Sequence, residues 1–174
     1  MSILSKGRPM PAIRQVAIGL ALGGGLLALP LAAQAERIFV SNEKDNTISV
    51  IDGATLEVVE TIPVGRRPRS MAFSSDGSEL FVAVGDDESI DMIDLESLRV
   101  VRSQASGDDP EVIRVDPNRP YIYVSNEDDN IVSVLDYEAR TLVTEIPVGV
   151  EPEGLGISPD GRWLVSTTET SNMA

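Results

Sequence analysis

The charges best placed to do chemistry lie on three short connectors of one plan: Gly65-Arg66-Arg67-Pro68-Arg69, Gly107-Asp108-Asp109-Pro110-Glu111 and Gly149-Val150-Glu151-Pro152-Glu153. Gly and Pro hold their places in all three, as a backbone turn requires. The charged positions change sign between copies, so the turn does not dictate them and they are free to serve binding. Paired guanidiniums suit anions and carboxylates, and clustered carboxylates suit cations or proton transfer. Their bland alternative is mutual neutralisation between neighbouring units, with exposed pairs worth at most about 1 kcal/mol. Arg114 is the other anomaly, because the same position holds Ala72 and Gly156 in the flanking copies. Glu111 and Asp116 are near it in sequence, and an ion pair with one of them is expected over an anion-binding role.

Absent residue types narrow the chemistry further. The 174 residues include no Cys and no His. Disulfides, Cys or His metal and haem ligation, and Ser-His-Asp or Cys-His nucleophiles are excluded within this sequence. The acidic runs Asp86-Asp87-Glu88 and Glu127-Asp128-Asp129-Asn130 lack the alternating spacing of a calcium loop. They read as solvated hairpin turns, and no metal set, catalytic set or cofactor is assigned.

The elements that position these charges follow from a repeat. Sliding the chain against itself by 42 residues aligns Asp52, Asp94 and Asp136, then Gly65, Gly107 and Gly149, then Pro68, Pro110 and Pro152, without a gap. Each period carries four short strand-like runs between turn signals, and no long helical periodicity follows Ala35. That combination is the signature of an all-β propeller of four-stranded antiparallel blades. The runs fall at 38–42, 47–52, 56–64 and 70–74, at 80–84, 89–94, 98–104 and 112–115, at 121–126, 131–136, 141–148 and 154–157, and at 163–168. Runs 70–74, 112–115 and 154–157 are expected to be innermost in the blades that follow them. About three blades and part of a fourth are present, fewer than the four to eight of closed rings. Residues 36–174 are therefore expected to be the N-terminal part of a propeller domain whose C-terminal part is missing. The repeated Asp52, Asp94 and Asp136, like Asp45, Asp87 and Asp129, read as structural.

Residues 1–35 read as a signal peptide: Lys6, Arg8 and Arg14, an apolar run from Val16, and the small-x-small site Ala33-Gln34-Ala35. Periplasmic localisation is the expectation, with no membrane association after cleavage. The leader holds three positive charges and no negative ones, so its removal takes the net charge from −14 to −17. Nucleic acid is excluded as a partner on charge.

Phe39-Val40-Ser41-Asn42 and Tyr123-Val124-Ser125-Asn126, with Ile146-Pro147-Val148-Gly149 and Ser158-Pro159-Asp160-Gly161, resemble the repeat of the YVTN β-propellers. Ser41-Asn42-Glu43-Lys44-Asp45-Asn46, the run from Val148 to Gly154 and Glu169-Thr170-Ser171-Asn172-Met173-Ala174 look most like the exported propellers called PQQ-dependent catabolism-associated. The resemblance implies a seven-bladed ring and the genomic company of quinoprotein alcohol dehydrogenases and their cytochromes. It implies an exported, non-catalytic binding or scaffold protein, partnered by a periplasmic cytochrome c or the quinoprotein dehydrogenase. Two alternatives come from related propellers: an enzyme of the lactonase type, and a haem d1-like binding propeller. The candidate binding residues are Arg66, Arg67, Arg69, Asp108, Asp109, Glu111, Arg114, Glu151 and Glu153, expected on one face around the mouth of the central channel.

Overall fold

The local hydrogen-bonding plan repeats with the 42-residue period and builds four antiparallel sheets in the computed structural model, which describes residues 36–170. The leader and the last four residues, with the readings placed on them, lie outside the described residues. The first sheet holds β1 (Arg37–Asn42), β2 (Thr47–Asp52) and β3 (Val58–Pro63). The second holds β4 (Pro68–Phe73), β5 (Glu79–Val84), β6 (Ser89–Asp94) and β7 (Arg99–Ala105). The third holds β8 (Pro110–Val115), β9 (Tyr121–Asn126), β10 (Ile131–Asp136) and β11 (Thr141–Pro147), and the fourth holds β12 (Pro152–Ile157) and β13 (Leu164–Thr168). These are successive propeller blades. β4 pairs with β5 and β8 with β9, so the run that closes each sequence period does open the following blade.

The blade copies keep their irregularities as well as their strands. Bulges recur between Val50 and Ile51, Met92 and Ile93, and Val134 and Leu135. Left-handed backbone recurs at Asn46, Glu88 and Asn130, at Leu56, Leu98 and Arg140, and at Arg67, Asp109 and Glu151. The second of these sets explains why β3 and β7 begin later than the apolar pattern suggests. Leu56 and Leu98 close a turn at φ 60° and 53° rather than opening a strand. β4 conversely begins at Pro68, two residues before the apolar run. Proline has no N–H to lose at the first position of a strand.

The blades pack face against face, so both sides of a middle strand are covered, and β5 is apolar from Leu80 to Val84. In β5, Leu80, Val82 and Val84 join Ile48, Val50 and Ile62 of the first blade. Phe81 and Ala83 turn the other way onto Ile113, Ile122, Val124 and Leu135 of the third. Leu155 of the fourth blade closes on Tyr123, Val132 and Val134. Each interface is a two-layer core of interdigitated strands.

The repeated aspartates hold turns, as their recurrence implies. Asp52 Oδ1 accepts the Ala54 and Thr55 N–H groups at 2.9 and 2.8 Å, and Asp136 Oδ1 those of Glu138 and Ala139 at 3.0 and 2.7 Å. Asp94 takes the N–H and hydroxyl of Ser97 at 2.7 and 2.5 Å, which lowers its carboxyl below the ordinary range. Asp94→Ala is expected to lower stability, as loss of a turn-capping acceptor does. Chemical denaturation measures it, and an unchanged midpoint would deny the turn its role.

Candidate functional site

Each connector is clamped between two blades by its backbone. Asn46 Oδ1 of the first blade accepts the Arg67 N–H at 2.9 Å. Asp91 and Asp87 of the second accept the N–H groups of Gly65 and Arg66, both at 2.7 Å. The third-blade connector uses Asp129 for the Asp108 N–H at 2.8 Å, and the fourth uses Asn130 for the Glu151 N–H at 3.0 Å. Asp87 and Asp129 thus serve as connector acceptors, not as free calcium ligands. With Arg67, Asp109 and Glu151 left-handed at φ 58°, 49° and 56°, the carbonyl of each turns to an N–H in the β5–β6, β9–β10 or following turn. Those acceptances, from Gly85, Glu127 and Glu169 at 3.0, 2.9 and 3.0 Å, bring connectors and hairpin turns onto one face.

The side chains then meet across blades. Arg67 Nη1 donates to both Asp109 oxygens at 2.6 and 2.7 Å, and Nη2 donates to Glu111 Oε1 at 3.0 Å. Arg69 Nε donates to Glu111 Oε2 at 2.6 Å. The Glu111 side chain is only 6% exposed and that of Asp109 14%, so these pairs are shielded from water. The hydrogen bond to Asp109 raises the Arg67 guanidinium above its ordinary value. Glu43 of the first blade stands farther from the two guanidiniums, at 3.6 and 3.3 Å. The crossing depends on Gly85, where an added Cβ would lie 2.7 Å from Asp109 Oδ1 and 3.2 Å from Arg67 Nη1.

One blade further on, the same step is built from acids alone. Glu127 stands where Gly85 stood, and Glu151 and Glu153 stand where Asp109 and Glu111 stood. Carboxylate oxygens of Asp109, Glu111 and Glu127 lie within 4.8 Å of one another. Burial raises the Glu127 carboxyl above the ordinary range, and Glu111, Asp109, Glu153 and Asp128 push it in the same direction. Asp109 and Glu111 are already bound by guanidiniums, so a metal ion would have to compete with Arg67 and Arg69 for the three carboxylates. Beside them Asp86, Glu88, Asp108 and Asp128 line a cavity of about 290 Å³ with Arg66 and Arg67. This face carries a cross-blade ion-pair network on one side and uncompensated carboxylates on the other.

Of the residues singled out in the sequence, Arg67, Arg69, Asp109 and Glu111 form that network, and Glu153 belongs to the acidic step. Arg66 turns to Asp87 of the second blade at 2.7 Å rather than to the third-blade connector. Glu151 accepts the Thr170 hydroxyl. The Arg114 expectation is corrected: its guanidinium donates to the Ile113 carbonyl at 2.7 Å, and no ion pair of Arg114 exists among the described residues. Both carboxylates near it in sequence are engaged elsewhere. Glu111 holds Arg67 and Arg69, while fully buried Asp116 accepts Tyr123 Oη at 2.6 Å and Arg119 Nη2 at 2.6 Å. Burial pushes the Asp116 carboxyl up, but those hydrogen bonds and the Asn118 N–H outweigh it and leave the group below the ordinary range. Burial, together with the bond to Asp116, pushes Tyr123 up to about 12.

Gly85, Glu127 and the Asp116-Arg119-Tyr123 cluster were not among the candidates. Gly85 was legible in principle, as the one break in the column Glu43, Gly85, Glu127 and Glu169. Asp116 was legible in the same way, as the acid that replaces the serines at 74 and 158.

Residues 14–117 match the family model of the YNCE-like beta-propellers. Among solved structures the fold is similar to that of Kuenenia stuttgartiensis hydrazine synthase, with a TM-score of 0.73 and 25% identity over 79% of this chain and 40% of that one. It is also similar to the dihydro-heme d1 dehydrogenase NirN in complex with DHE, with a TM-score of 0.64 and 22% identity over 75% of this chain and 30% of that one. This chain therefore spans well under half the length of either structure. No curated protein matches.

Proposed function

Because the chain belongs to the YNCE-like β-propeller family, we propose that it is an exported, non-catalytic propeller whose connector face docks a basic periplasmic protein. The candidate partners are a cytochrome c or a quinoprotein alcohol dehydrogenase, in keeping with the sequence resemblance to PQQ-dependent catabolism-associated propellers. The observation that carries this reading is the acidic step at the third and fourth blades. Its carboxylates face one another, where the preceding step pairs carboxylates with guanidiniums. A rigid β scaffold with variable charged loops on one face is also a common design for binding.

The lactonase and haem d1-like readings draw less support. No carboxyl pair among the described residues stands apart as acid and base, and the likeness to NirN supports the fold alone.

Charge complementarity of this kind acts mostly on encounter rate and register. Binding should weaken steeply with salt, since the screening length is only about 8 Å at 0.15 M. Asp109 and Glu111 hold the blades together, so the test substitutes exposed acids: Asp108→Asn, Asp128→Asn and Glu153→Gln combined. At about 0.5 kcal/mol per exposed charge the triple variant is expected to bind roughly tenfold more weakly. Surface plasmon resonance against purified cytochrome c and dehydrogenase at low and high salt reads this out. Affinity unmoved by salt and by the triple substitution would remove the docking face.

A further inference from the structure

Glu127 occupies a position that the first two blades treat differently. In the first blade the equivalent Glu43 faces the guanidiniums of Arg67 and Arg69. In the second, Gly85 leaves the space to the Arg67–Asp109 pair. In the third, partly exposed Glu127 stands among carboxylates. Glu111 approaches from β8, Asp109 from the connector before it, Glu153 from β12 and Asp128 from its own turn. Arg67 and Arg69 are spent on Asp109 and Glu111 from the second-blade side. A single carboxylate held among others shares their field, and the compact way to relieve it is to take up a proton. A guanidinium or ammonium arriving from outside would relieve it equally well.

We propose that Glu127 is a proton-linked contact of the acidic face: it binds a proton in mild acid while the face is free, and releases it when a cationic side chain of the partner docks. The inference rests on the docking reading above and adds its regulation. Docking and protonation compete for the same carboxylate, so partner affinity falls as pH falls.

The sign of the stability effect is fixed by the same geometry. A carboxyl whose value in the fold lies above its unfolded value contributes stability at low pH, and that contribution is lost as pH rises through the folded value. Ionised Glu127 is thus a burden on the free fold near neutral pH, and the partner's cation lifts it.

The test uses the full chain with a tetra-arginine peptide as probe. Carboxyl-detected NMR should show Glu127 titrating above the ordinary carboxylate range, and moving to lower pH when the peptide is added. Peptide affinity should fall severalfold from about pH 7.5 to about pH 5, and Glu127→Gln should flatten most of that slope. Glu127→Gln should also raise the midpoint of thermal unfolding at neutral pH and leave it unchanged in acid. Peptide binding with no movement of the Glu127 titration, or an unchanged slope in the variant, overturns the proton linkage alone. Absence of peptide binding at every pH overturns the docking reading together with it.

Discussion

Arg67→Met is expected to destabilise the fold by about 2–4 kcal/mol, among the larger effects of any single surface-derived substitution. The methionine keeps most of the apolar stem and removes the fork that bridges two blades. It leaves Glu111 with the Arg69 guanidinium and takes from Asp109 the guanidinium it pairs with. Since the Glu111 side chain is 6% exposed, water cannot take over that role. The loss should therefore come from stranded carboxylates more than from the pair itself, and this makes a second expectation. Adding Asp109→Asn and Glu111→Gln to Arg67→Met should recover most of the loss, because neutral amides tolerate the site without a counter-charge. Urea unfolding of the single and triple variants measures both. A single-variant loss below about 1 kcal/mol would mean the network is only a surface ornament.

Phe81→Ala is expected to cost about 3–5 kcal/mol, the range for emptying an aromatic site in a packed core. Phe81 is fully buried in β5 and its ring lies 5.0 Å from that of Tyr137. It belongs to the interface between the second and third blades, which also carries the Arg67–Asp109 crossing. Emptying it should loosen the two blades against each other as well as lower the midpoint. Hydrogen exchange can follow this, with protection lost first in β8 and β9. Loss confined to β5 and its immediate partners would argue that each blade unfolds by itself.

Several features of the molecule were legible from residues alone, and they share a property. Asp52, Asp94 and Asp136 read as turn acceptors because an aspartate two or three residues before a turn N–H makes its bond locally. The innermost strands were assigned to the following blade from the strand order usual in propeller blades. The cross-blade neutralisation between Arg67, Arg69, Asp109 and Glu111 was also within reach, because those residues stand one period apart. Arg66 shows the limit of that rule. It shares the spacing with Asp108, yet its guanidinium folds onto Asp87 and the Asp86 carbonyl. A long flexible side chain chooses among acceptors by distance and shielding, which the period does not encode.

The sequence by itself determined the blade plan, the strand order and the face on which connectors and hairpin turns gather. All of these are set by hydrogen bonds within about one period, and a 42-residue repeat states each of them three times. Only the tertiary structure decided which charges are spent and which remain. Gly85 opens the path for Arg67, Asp116 is claimed by Tyr123 and Arg119 so that Arg114 is left to a carbonyl, and Glu127 is set beside other carboxylates. Those outcomes depend on through-space distance and on burial, and a charge meets its neighbours in that sense only after the blades have stacked.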